Sequence, residues 1–196
     1  PGDRGALETA EKALVRHGWM PTKINPYDQR YYREWMHELP PLLHLRRGTS
    51  IDVHHTILPP TARPHPDVAR LWGNAVPVTG IDGCHVLGTA EMVLHSATHL
   101  FYEGDLRAGL RDLADIDALL RAASADDGFL ASLQSAAEAH GLERPLFYAL
   151  HLCRALFESP LPGEDSAGVW RTGAPSAIAL AWMEGLFLRC MATGLL

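Results

Sequence analysis

Two groups of side chains in this 196-residue sequence have types and spacings that could do chemistry. The first is Asp52 with His54. Both fall in Thr49 to Leu58, where residues alternate with a period of two, so a β-strand puts Ser50, Asp52, His54 and Thr56 on one face and Ile51, Val53, His55 and Ile57 on the other. Aspartate is depleted in strands, so a carboxylate here asks for a reason. A solvated face is the plain one. The functional one is an open sheet face that offers a carboxylate to a hard cation such as Mg²⁺, which takes one or two carboxylates together with phosphate oxygens. A single Asp needs partners to build such a site.

The second group is His95 with His99. At i and i+4 they share one helix face, a spacing that can chelate Zn²⁺, and that face points away from the Val93, Leu94, Ala97 and Phe101 stripe. Ser96 follows His95, so this is not the H-E-x-x-H of a zinc protease. Asp112 and Asp115, or Asp52 with His54, could complete a metal site if the fold brings them close. The plain alternative is a hydrogen-bonded histidine pair packed between two lobes. Asp115-Ile116-Asp117 is not a D-x-D metal motif if it is helical, because the two carboxylates then diverge. Arg111 and Asp115 read instead as an i,i+4 ion pair. Gly48-Thr49-Ser50 is no phosphate loop, since no lysine and no helix follow.

The elements that must position these groups follow from periodicity. Leu7, Ala10, Ala13 and Leu14 recur at helical spacing over residues 4 to 17, with Gly18 at the cap. Trp19 to Ile24 reads as a short strand broken by Asn25-Pro26, and Tyr27 to Leu39 resists assignment. Leu42 to Leu45, a turn at Arg46-Arg47-Gly48 and Thr49 to Leu58 form a hairpin that Pro59-Pro60 ends. Residues 68 to 86 read as one helix turn and a short strand. Thereafter the chain is helical: Thr89 to Tyr102, Leu106 to Arg121, Asp126 or Asp127 to Gly141, and Leu146 to Phe157 behind Pro145. A last helix lies behind Pro175, with Ser159 to Gly168 as a loop. The fold class is therefore α+β. A small sheet with a helix occupies residues 1–60, a linker 61–84, and an all-helical lobe 85–196. So small a sheet should have an exposed edge, which predicts self-association.

Composition narrows the function further. Residues 1 to 60 hold eight Lys/Arg against seven Asp/Glu, and residues 61 to 196 hold nine against 16, for a net charge of −6. Without a basic stripe, a nucleic-acid partner is disfavoured. Cys84, Cys153 and Cys190 are isolated and odd in number, which fits a reducing, cytoplasmic setting. Ala177 to Leu196 is the one membrane candidate, and Glu184 and Arg189 near its middle argue for a buried terminal helix instead. The chain starts at Pro1, not Met, and reads as a segment of something longer.

Two runs together carry a likeness. One is Ser50-Ile51-Asp52-Val53-His54-His55, preceded by a helix ending in Gly18-Trp19. The other is Glu91-Met92-Val93-Leu94-His95-Ser96-Ala97-Thr98-His99-Leu100, leading to Leu110-Arg111-Asp112-Leu113-Ala114-Asp115-Ile116. They resemble a family of bacterial nucleotidyltransferase-like proteins related to the polymerase-β-type superfamily, over most of residues 5 to 122. The resemblance implies a nucleoside triphosphate substrate, an unknown acceptor and Mg²⁺ ions on three strand carboxylates. Asp52 would be the third of these, a metal ligand that helps activate the acceptor. His54, His95, His99, Asp112 and Asp115 would support the site or meet substrate. Arg46 and Arg47, or Arg30 and Arg33, could meet phosphate oxygens, though the resemblance itself assigns none of them. The family's Gly-Ser turn with its D-x-D strand belongs upstream of the first helix, and nothing before Asp52 supplies it, since Asp3 and Asp28 stand alone. The chain alone is thus expected to be inactive in nucleotidyl transfer. Two other readings stand beside this one: a non-catalytic nucleotide-binding or regulatory module, and a Zn²⁺-dependent hydrolase built on His54, His95, His99 and an Asp.

Overall fold

A computed structural model describes residues 4–102, 108–161 and 172–193. The first helix, α1 (Arg4–Arg16), stops where Gly18 takes a φ of +89°, and the His17 and Gly18 N–H groups close the last turn on Leu14 and Val15 carbonyls. Strand β1 (Trp19–Pro21) follows. The stretch without a sequence assignment is then largely helix α2 (Pro26–Trp35). Asn25 caps it by accepting the Asp28 N–H at 2.8 Å, and Pro26 sits at its start, where a missing N–H costs nothing. Asn25-Pro26 is thus a helix start, and the strand before it ends earlier than expected, at Pro21 and not at Ile24.

Strands β2 (Leu42–His44) and β3 (Ser50–Ile51) form the hairpin, with Gly48 at φ +67° in its turn. The sheet order is β1-β2-β3, antiparallel throughout. The second strand is much shorter than Thr49 to Leu58. Past Ile51 the ladder breaks and resumes as a single bridge between Glu38 and His54. The break lies at Pro40-Pro41, which have no N–H to donate. Between the pairs Leu42–Ile51 and Glu38–His54, three residues (Leu39, Pro40, Pro41) face two (Asp52, Val53), so the strand carries a bulge. The bulge flips the alternation. Leu42 and His44 are buried after it, His37 and Leu39 before it. Helix α3 (Val68–Gly73) completes this unit, which spans Pro1–Gly73.

The second compact unit, Asn74–Leu196, opens on a small hairpin of β4 (Val76–Pro77) and β5 (His85–Val86). Helices α4 (Thr89–Tyr102), α5 (Gly109–Ala123), α6 (Phe129–His140) and α7 (Glu143–Phe157) then pack on one core. Val93, Leu94 and Ala97 of α4, Leu113 and Ile116 of α5, Leu133 of α6 and Leu150 of α7 are fully buried. Helical spacing predicts the buried stripe of α4, and on α5 it predicts Leu113 and Ile116 but also Leu110, which is exposed. Leu106 lies outside the described residues, as does most of the loop expected at Ser159 to Gly168. The ion pair described on α5 joins Asp117 to Arg121 at 2.8 Å, six residues beyond the Arg111–Asp115 pair expected.

The last helix, α8 (Ala177–Thr193), departs from the buried helix expected. It buries Phe187 beside Gly109 and Leu100, and its Glu184 meets His151 at 2.5 Å. Ile178, Trp182, Leu186 and Leu188 remain exposed. Its apolar residues run all round the helix, more than one contact face can cover. Among the described residues no helix is long and apolar enough to cross a membrane. The class is α+β, with a small antiparallel sheet region and a mostly helical C-terminal half.

Candidate functional site

Asp52 follows β3 directly, and both it and His54 are exposed. Opposite His54 stands Glu38. The bonds flanking this pair run from the Leu39 N–H to the Val53 carbonyl (2.8 Å) and from the His55 N–H to the His37 carbonyl (2.9 Å). Glu38 and His54 are therefore a non-hydrogen-bonded pair of the ladder, the kind whose side chains lie closest. His54 Nε2 is 3.3 Å from Glu38 Oε2, and the His37 and His54 ring centroids are 4.9 Å apart. One donor atom each from His37, Glu38 and His54 lies within 4.8 Å of the other two. Tyr32 of α2 is close enough to feel both acids: burial pushes its phenol above the usual range, and the charges of Glu38, Asp28 and Asp52 add to that, alongside Tyr31.

His37 and Glu38 were not among the residues singled out from the sequence. The signal was weak. A His-Glu pair next to two prolines says nothing of its partner until the bulge sets Glu38 against His54.

A hollow of about 300 Å³ lies beside this cluster, lined by Leu7, Gln29, Arg33, Glu38, Leu39 and His55 among others. Arg33 is held there by both Glu11 oxygens at 2.7 and 2.9 Å, and Arg30 pairs with Glu34 at 2.9 Å. Both arginines thus already serve carboxylates. Arg46 and Arg47 are exposed in the hairpin turn, where their backbone N–H groups both reach His44 Nδ1 at 3.2 Å.

In the second unit the fold does bring the other candidates together. His95, Ser96 and His99 of α4 and Asp112 and Asp115 of α5 line one hollow of about 160 Å³. The His95 and His99 rings are 6.2 Å apart. Asp117 turns away from Asp115, as helical geometry demands. It accepts from Ser159 Oγ at 2.6 Å and from Arg121. Burial works to raise its pKa, but these two donors outweigh it and hold the carboxyl below the usual range.

Neither a curated protein nor a solved structure matches this chain. A family model described as uncharacterised nucleotidyltransferase matches residues 3–158, from the start of α1 to the end of α7. That span takes in Asp52, the Glu38–His54 pair and the α4–α5 hollow. The strand carboxylate and the histidine-bearing helix thus lie in one matched stretch, and the chain belongs to this uncharacterised nucleotidyltransferase family.

Proposed function

We propose that this chain serves the transfer of a nucleotidyl group from a nucleoside triphosphate to an acceptor hydroxyl or phosphate, with Asp52 as a carboxylate that holds Mg²⁺. The observation that carries the reading is the exposed Asp52 carboxylate at the end of β3, within a chain of this family. The donor chemistry fits one ion. Mg²⁺ keeps much of its water and binds through one or two carboxylates plus phosphate oxygens, which an open strand end allows. When bound, it would stabilise charge on the oxygens of the transferring phosphate.

The chain's own residues have narrower tasks. Asp52 fixes the ion, and Arg46 and Arg47 are placed in an exposed turn where phosphate oxygens can reach them. Within the second unit, His95, His99, Asp112 and Asp115 line a polar hollow suited to holding a polar group. Two ions are a different matter. Among the described residues, the carboxylate that the bridge beyond β3 adds is Glu38, and it faces His54. The chain by itself is therefore expected to bind nucleotide without turning it over. A non-catalytic nucleotide-binding role draws on the same observation. The isolated spacing of Cys84, Cys153 and Cys190 supports a reducing, cytoplasmic setting.

Equilibrium binding of each of the four nucleoside triphosphates, with and without Mg²⁺, tests the proposal. Asp52→Asn should weaken the Mg²⁺-dependent binding by about tenfold or more, a loss of roughly 1.4 kcal/mol. Equal binding by the variant sinks it, and robust product from the chain alone refutes the expected lack of turnover.

A further inference from the structure

We infer that His37, Glu38 and His54 form a site for a transition-metal ion of the Zn²⁺ class, distinct in donor chemistry from the Mg²⁺ assigned to Asp52. Two imidazole nitrogens and one carboxylate oxygen suit Zn²⁺, Co²⁺ and their neighbours, whereas Mg²⁺ prefers oxygens throughout. The spacing agrees. A tetrahedral ion with bonds of about 2.0–2.1 Å sets its ligands about 3.3 Å apart. His54 Nε2 and Glu38 Oε2 stand 3.3 Å apart, and the third donor, from His37, lies within 4.8 Å of both.

The backbone holds this arrangement. Glu38 and His54 are cross-strand partners fixed by a hydrogen bond on each side, and His37 is adjacent in sequence and buried. The His54 side chain is 38% exposed, that of Glu38 is 17% exposed and His37 is buried, so the cluster is anchored below and open above. Three protein donors with one open side leave a coordination position for water or an anionic oxygen such as that of a phosphate. The inference stands apart from nucleotidyl transfer, because its test uses metal alone.

The test takes the full chain, made without a histidine tag and stripped with chelator, and titrates it with Co²⁺ and then Zn²⁺. Saturation at one equivalent is expected, with a visible Co²⁺ absorption band that Zn²⁺ abolishes and a Zn²⁺-dependent rise in Tm. His54→Ala and Glu38→Gln should each weaken Co²⁺ binding by about tenfold or more. Glu38→Gln keeps side-chain shape, and its metal-free circular dichroism should match the parent, so its loss of the Tm rise reports ligation. No saturable band overturns the inference and leaves Glu38–His54 a simple ion pair. Binding unchanged in both variants overturns it as well, and so does loss on His95→Ala instead, which would move the ion to the α4–α5 hollow.

Discussion

Asp117 shows how one carboxylate can be structural while its neighbour in sequence, Asp115, faces a polar hollow. Its bond from the buried Ser159 hydroxyl ties α5 to the segment after α7. Ser159→Ala should lower stability by about 1.5 kcal/mol, the scale of a hydrogen bond to a charged group, in urea unfolding at neutral pH. The pH dependence has a definite sign. A carboxyl held below its ordinary value of 3.8 adds stability that is complete above that value and is lost as pH falls through its depressed folded value. Asp117→Asn should therefore lie below the parent at neutral pH and converge on it in acid. Cys153 is a second case set by surroundings. Burial, with the Asp117 charge behind it, pushes this thiol up to about 12. Alkylation of the folded protein should mark the exposed Cys84 and Cys190 and spare Cys153 until denaturant is added.

At the scale of elements, α8 meets its unit through Phe187, whose ring lies 5.8 Å from that of Phe101, and through the Glu184–His151 contact. Phe187→Ala should cost about 3 kcal/mol or more, read in thermal or urea unfolding. Gly109→Ala attacks the same joint from the other side, because a Cβ there would sit 3.0 Å from the Phe187 ring. A loss of about 1 kcal/mol is expected there. Helices α4 to α7 were legible because a period of 3.6 repeats over many residues and buries one stripe. Helix α2 was not legible: Asn25-Pro26 reads as a strand break before it reads as a helix start, and the aromatic and charged residues that follow mask any stripe, since none of them is buried. The hairpin was legible in place but not in length. A period of two continues through Asp52 and His54, while the break sits in the partner strand, at Pro40-Pro41. The same break hid the candidate cluster: Asp52 and His54 could be found from their own strand, but Glu38 and His37 could not. Asp112 and Asp115 could be named beside His95 and His99, yet only the packing of α4 on α5 joins them in one hollow.

For the whole molecule, charge follows the division into units. Residues 1 to 73 hold ten Lys/Arg against eight Asp/Glu, and residues 74 to 196 hold seven against 15. An acidic second unit repels polyanions, so a labelled single-stranded RNA or DNA should show no binding at about 0.15 M salt in an anisotropy titration. The double proline before β2 matters for anyone who sets this chain beside its relatives. Its surplus residue is absorbed by the bulge, so a relative with a single proline there would still place its acid across from its histidine. Loop-like gaps at this point in an alignment are then harmless to the constellation, and its members are better matched by cross-strand partnership than by counting positions from a shared start.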